Sequence, residues 1–351
     1  MLASVWLYRL YDVAQEIDLD KVEQLLAGAK PITRLRLSKV SPKSMHFKNP
    51  PVTIELGEST LKVLDTELPA VVTARVYDLG VVTVLLRLNL PTQYTYRELK
   101  KLAVNLAVTE KLEPIFWSHL ETVRNELRTA LVAENYEGFV EDFTIFYFRE
   151  WRHEWDPVPL LLGEDSEVSA EVRQETLKYR FAYSDDFTII TWESAIVYDP
   201  SGSSDIPDLL EFASAQLLEL RYYDNVLETE LERMYDAIQE ADKRRHYLRL
   251  NRYRRITRQL LELVAEITEI TGRIQNALRV TEDVFYARVY AAALKIFRVK
   301  EWAEGIAEKV SVIERSYAML SDEIVTQRFL VLETAIVLLF IIEIIIGLLI
   351  W

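Results

Sequence analysis

The apolar positions of this chain keep different periods along its length. Up to Tyr198, short strand-like runs such as Val5 to Tyr11 (VWLYRLY) are interleaved with helical stretches such as Leu19 to Leu26 (LDKVEQLL). Alternating runs rich in β-branched and aromatic residues suit the two faces of a strand, and spacing at i, i+3, i+4 suits one face of a helix. TRLRLSKV, Thr33 to Val40, predicts a further strand, and Thr73 to Leu88 predicts a hairpin turning at Asp78–Gly80. Helices are expected from Tyr96 to Ala107 and from Glu113 to Val132. FTIFYF, Phe143 to Phe148, reads as a buried strand, and Lys178 to Trp192 reads as a second hairpin around Ser184–Asp186.

Beyond Pro207 the chain has no proline, and glycine occurs only at Gly272, Gly305 and Gly347. Three apolar series there step by three and four. One runs Ala213, Leu217, Leu220, Tyr223, Leu227, Leu231, Met234, Ile238, Ala241; a second runs Ile256, Leu260, Leu263, Ile267, Ile270, Ile274. The third, Ile306, Val310, Ile313, Tyr317, Leu320, Ile324, leads straight into FLVLETAIVLLFIIEIIIGLLIW, Phe329 to Trp351. Such steps keep side chains on one face, where helices knit together within a chain or between chains. Breaks near Asp242 to His246 and Val280 to Glu282 favour hairpins within the chain. As a helix the tail spans roughly 34 Å, against a hydrocarbon core of about 30 Å, and its apolar residues cover every face. It is expected to cross a bilayer once.

These patterns predict an α+β N-terminal domain over residues 1–204, then an all-α, coiled-coil-like helical hairpin or stalk domain over 205–328. A single C-terminal transmembrane helix over 329–351 completes the expected layout. The loop formers of DPSGSSDIPD, Asp199 to Asp208, place the boundary. Lys300, Lys309, Arg315 and Arg328 precede the span, so the positive-inside tendency puts the N-terminal bulk on the cytoplasmic side.

Composition narrows the chemistry. A net charge of −14 argues against general nucleic-acid binding, which needs concentrated Lys and Arg, and the absence of cysteine removes disulfides, thiol nucleophiles and Cys-based metal sites. The four histidines, His46, His119, His153 and His246, are dispersed, and no Walker A, GxGxxG or GxSxG motif is present. No catalytic residue, metal ligand or cofactor is therefore assigned. The Asp199, Ser201, Ser203, Asp205 loop lacks the glycine and terminal Glu register of a calcium loop. Asp185 and Asp186 suit a hairpin turn, and convergence of Asp185, Asp186 and Glu193 on a polar pocket would favour catalysis.

Two features remain as candidate sites. The basic run KRRHYLRLNRYRRITR carries Lys243, Arg244, Arg245, Arg249, Arg252, Arg254, Arg255 and Arg258. It could touch anionic lipid or a partner, or form a solvated face paired with Glu228 to Glu232 and Glu262 to Glu269. Within the apolar tail stand Glu333 and Glu343, and a carboxylate near mid-span costs about 2.5–3.5 kcal/mol on insertion scales unless neutral or partnered. Glu343 therefore points to a homo-oligomer, or else to a tolerated monomeric span.

LETAIVLLFIIEIIIGLL, Leu332 to Leu349, resembles the closing segment of the meiotic nuclear division family, also called YagE-like or domain-of-unknown-function 155 proteins. Phe297 to Ile324 is similar in layout to that family's helical segment before the membrane, and ARVYDLGVVTVLL, Ala74 to Leu86, to its strand and turn. That family's central Ser-His-Ala-Leu-Ala-Gln-Ser stretch has no counterpart at Leu102 to Glu110. The resemblance implies a membrane-anchored accessory or scaffold protein, with no catalytic residue to carry over; the N-terminal domain is expected to contact an unknown protein partner. The layout also resembles CorA-type magnesium channels, but those need two spans joined by Gly-Met-Asn, whereas here Gly347 is followed by Leu348. An oligomeric ion channel or transporter component stands as the alternative.

Overall fold

A central strand flanked on both sides organises the first part of the chain in the computed structural model, which describes residues 3–37, 45–63, 66–107, 112–134, 139–242, 255–259, 261–265, 267–268, 271–272, 278–280 and 285–350. Strand β1 (Ala3–Asp12) pairs antiparallel with β7 (Val81–Asn89) on one side and β9 (Val140–Phe148) on the other. From β7 the sheet continues through β6 (Thr66–Val76), β5 (Val52–Val63) and β3 (Ile32–Arg34). From β9 it continues through β12 (Ser194–Tyr198), β11 (Phe187–Ile190) and β10 (Arg180–Phe181). Nine strands result, antiparallel except where β12 runs parallel to β9. Two small pairs lie outside it, β2 (Ala14–Ile17) with β8 (Leu131–Glu134) and β4 (Met45–Phe47) with β13 (Leu278–Val280).

Alternation along β1 explains the layering. Val5, Leu7 and Tyr11 face a core completed by α2 (Tyr96–Ala107) and α3 (Glu113–Leu127) through Leu99, Leu102, Phe116, Leu120 and Val123. The short helices α1 (Leu19–Leu26), α4 (Val158–Leu162) and α5 (Ala170–Thr176) add to this side. Two helix starts are capped locally: at α1 Asp18 accepts from Lys21 N at 3.0 Å, and Thr95 and Glu98 form a reciprocal box at the head of α2. Trp6, Tyr8 and Leu10 point to the other face, beneath α6 (Asp205–Asp242) and α7 (Phe285–Ile296). There Phe143 meets Phe297 at 5.5 Å between ring centroids, and Tyr290 donates to Gln216 at 2.5 Å.

The described chain forms two compact units, Met1–Tyr222 with Gly272–Trp302, and Tyr223–Thr271 with Ala303–Trp351. In the second unit, Leu227 and Met234 of α6 and Ile306, Ile313 and Leu320 of α8 (Val299–Ile350) are buried. Lys309 of α8 sits 2.9 Å from Asp224 of α6. The architecture is thus a mixed α/β region on a nine-stranded sheet followed by helices, the last ending in a long apolar, exposed stretch.

Three local expectations change. α3 stops at Leu127, because Ala130 N turns back to Leu127 O at 2.7 Å and the chain enters β8. Of TRLRLSKV only Thr33 and Arg34 are in a strand, and Ser38 to Val40 lie outside the described residues. β5 is additional, a twelve-residue strand with a register shift between Glu55 and Gly57. Both hairpin turns and the buried strand β9 lie where the pattern puts them.

Candidate functional site

The most exposed apolar surface belongs to α8. Up to Leu320 this helix hides Ile306, Ile313 and Leu320, with Val310 and Tyr317 half-buried between them, the alternating steps of four and three that a helix seam uses. From Phe329 to Gly347 the pattern ends: nineteen residues with mean hydropathy 2.8, none of them buried. Covering a Leu, Ile or Phe side chain is worth about 1.5–3 kcal/mol each. By length and composition the stretch is long and apolar enough to cross a membrane. Glu333 and Glu343 both lie on this exposed stretch, about 15 Å apart along the axis by helical rise. Thr334 satisfies its hydroxyl internally, donating to Leu330 O at 2.7 Å.

The basic run is described only at its end. Lys243, Arg244, Arg245, Arg249, Arg252 and Arg254 lie outside the described residues, whereas Arg255 and Arg258 are exposed on a helical turn. Arg258 Nε is 2.9 Å from Glu262, an i,i+4 pair of the solvated kind.

A cavity of about 860 Å³ in the first unit opens between the sheet and helices α2, α3 and α4. Leu7, Leu106, Phe116, Trp117 and Phe146 make its apolar wall. Arg9 projects into it from β1, with Nη1 3.1 Å from Asp142 and Nε 3.4 Å from Glu113, its guanidinium 5.3 Å from the Phe116 ring centroid. Tyr11 donates to Glu113 at 3.2 Å, and burial together with that charge pushes its hydroxyl well above the ordinary tyrosine range. Glu193 and Ser194 close one end. Ser194 donates to Leu161 O at 2.7 Å, so its oxygen is held by structure rather than poised for attack. Of the three carboxylates considered for catalysis, Glu193 alone lines this cavity. Asp186 instead accepts from the backbone N–H groups of Tyr183 and Ser184, the turn-forming role that its position suggests. Among the described residues no group of three or more His, Asp or Glu could hold a metal.

A buried ionic cluster joins β6 to α6. Arg75 contacts Asp208 at 2.9 Å and also Glu211, while Tyr77 donates to Glu211 at 2.9 Å. Burial works against the charge on Arg75, but Glu211 and Asp208 outweigh it and raise its pKa. Burial raises both carboxyls, and Arg75 pulls them part of the way back. Sequence reading missed these residues, since Arg75 sits in an apolar hairpin, Asp208 looks like a helix's first-turn acid and Glu211 like an ordinary helical carboxylate. The one available signal is polar residues at core positions of otherwise apolar elements.

Residues 3–205, more than half of the chain, match the family model described as "Uncharacterized protein MJ0711, N-terminal domain". The protein described as uncharacterized protein MJ0711, from Methanocaldococcus jannaschii, is 27% identical over 242 residues, covering 65% of this chain and 72% of that one. No solved structure matches. The resemblance to the meiotic nuclear division (YagE-like, domain-of-unknown-function 155) family is thereby overturned. It rested mainly on an Ile- and Leu-rich tail, and any membrane-length helix draws on those same few residue types. Matched through its whole nine-stranded region, this chain belongs to the MJ0711 N-terminal domain family.

Proposed function

We propose that the chain is a membrane-anchored interaction protein, in which Phe329 to Trp351 crosses a bilayer once and the mixed α/β region works in water as a scaffold for another protein. The observation that carries this reading is the apolar stretch of α8, which has no cover from the chain itself. Lys300, Lys309 and Arg315 on the approach favour a cytoplasmic location for the bulk of the chain. The seam at Ile306, Ile313 and Leu320 supports a coiled-coil-like stalk, and Glu343 supports self-association within the membrane. The basic run from Lys243 to Arg258 would add contacts to anionic headgroups. No catalytic role is assigned. Ser194 is tied to a backbone carbonyl and Arg9 is neutralised by Asp142 and Glu113.

Extraction of membranes at alkaline pH, paired with flotation on neutral liposomes, tests the anchor. The full chain should stay with lipid and a chain ending before Phe329 should leave it. Release of the full chain at alkaline pH would refute the span. Light scattering of both forms in detergent then reads assembly: a defined oligomer formed only by the full chain supports a shared span.

A further inference from the structure

A second cavity of about 320 Å³ lies on the α6 side of the sheet, lined by Ala3, Ser4, Trp6, Arg87, Asn89, Leu90, Tyr147, Arg149 and Gly202. Register explains the gathering. Trp6 sits opposite Arg87 of β7, and Ser4 opposite both Asn89 and Tyr147, so side chains from three adjacent strands share one face. Trp6 stacks on Tyr147 at 5.3 Å between centroids and carries the Arg87 guanidinium 5.4 Å from its ring, which fixes that arginine on a rigid aromatic base. Arg149 follows the end of β9 and lies against Gly202, where an added Cβ would stand 3.2 Å from its guanidinium carbon. Gly202 also holds φ +79°, so a side chain there would be strained as well as intrusive.

Charge is what sets this cavity apart. In a chain of net charge −14, its lining has two arginines and no acid. Neither Arg87 nor Arg149 has a carboxylate within ion-pair distance among the described residues. Arg87 Nε is buried without a hydrogen-bond partner, an orphan donor that calls for an acceptor. The nearby Asp199 is occupied, accepting from Ser201 N and Ser201 Oγ at 2.8 and 2.7 Å. Ser4 accepts from Trp6 Nε1 at 2.7 Å and keeps its own proton for another oxygen.

We infer that this cavity binds a small phosphate-type oxyanion, held between the Arg87 and Arg149 guanidinium groups with Ser4 and Asn89 as supplementary donors. Planar guanidinium forks match phosphate oxygens, and a cavity of about 320 Å³ admits a phosphate or diphosphate group with room for a small substituent beside it. The same chemistry is offered by a soluble phosphate compound and by a phospholipid headgroup.

Calorimetric titration of the full chain with sodium diphosphate at low ionic strength tests the assignment, first in neutral detergent. One site per chain is expected, with at least a tenfold loss of affinity for Arg87→Gln and for Arg149→Gln, and partial retention for Arg149→Lys. Arg149 is exposed, so Arg149→Gln decides the matter even if Arg87→Gln fails to fold. Repeating the titration in nanodiscs of phosphatidylcholine, with and without phosphatidic acid, separates the sources. Read at about 0.15 M salt, where the charge of the discs themselves is screened within about 8 Å, weaker diphosphate binding in the acidic discs assigns the site to a headgroup, and equal binding assigns it to a soluble phosphate. Absence of saturable heat in detergent and in both nanodiscs, or an affinity unchanged in Arg149→Gln, overturns the inference.

Discussion

Arg75 on β6 lies 2.9 Å from Asp208 on α6, and both side chains are almost wholly shielded from solvent. The contact fixes the start of α6 over the sheet, and Glu211 and Tyr77 complete the network. Removing one member of a buried pair strands the others, at a cost of about 3–5 kcal/mol, whereas replacing the whole set by apolar residues is often neutral. Arg75→Ala should therefore destabilise the first unit by about that amount. Arg75→Met combined with Asp208→Leu and Glu211→Leu should recover most of it. Urea unfolding of the full chain in detergent, followed by near-ultraviolet circular dichroism, compares the two.

The same cluster sets a pH dependence of unusual sign. Burial raises the Asp208 carboxyl above its ordinary 3.8, with Arg75 opposing, and Glu211 is raised above 4.5 for the same reason. Above those ordinary values the folded state binds more protons at these sites than the unfolded state does. Their contribution therefore falls as pH rises through the raised folded values. Asp208→Asn removes one such site and lowers the other, because Asp208 itself helps to raise Glu211. The slope of unfolding free energy against pH, above about 4, should be flatter in Asp208→Asn than in the parent. An identical slope would mean that pairing with Arg75 fully cancels burial.

Much of the fold was legible because the strongest signals are local. The run FTIFYF has no role but a buried strand, and the proline-free stretch beyond Pro207 can continue as helix. β5 escaped because VTIELGESTLKV carries three charged residues and a glycine, and its outward positions sit near a register shift. α6 reads as a stalk helix from its heptad steps, yet from Asp208 to Leu220 it is buried on all sides, Glu211 and Glu219 included. A one-dimensional period cannot report that a helix is covered by a sheet on one side and α7 on another. The arginine cavity was invisible for a related reason: Arg87 and Arg149 are separated by more than sixty residues, and β1 alone brings their strands together.

Gly80 and Ala14 come closer than any side chain could tolerate. At φ +105°, Gly80 would place a Cβ 1.8 Å from the Ala14 carbonyl oxygen, while its own carbonyl accepts from Val13 N at 3.1 Å. Gly80→Ala must therefore strain the turn between β6 and β7 and also push the chain beyond β1 away. A loss of more than about 3 kcal/mol is expected, since left-handed strain and a backbone clash add. Thermal unfolding of the variant beside the parent reads the effect. A change below about 1 kcal/mol would show that the β1 end yields freely.

Glu343 offers the sharpest test of assembly. It stands ten residues beyond Glu333 and four before Gly347, well inside the exposed apolar stretch. A monomeric span must bear its carboxyl at about 2.5–3.5 kcal/mol on insertion scales, or neutralise it. A helix–helix contact offsets that cost by hydrogen-bonding the group across an interface, typically for about 0.6–2 kcal/mol per contact. Glu343→Leu keeps the helix and raises its apolarity, so insertion itself should not suffer. If Glu343 joins copies, the variant should shift from oligomer towards monomer in detergent by light scattering, while alkaline extraction still leaves it in the membrane. If the parent's oligomeric mass persists in Glu343→Leu, assembly runs through the Ile306, Ile313, Leu320 seam or elsewhere, and Glu343 has no part in it.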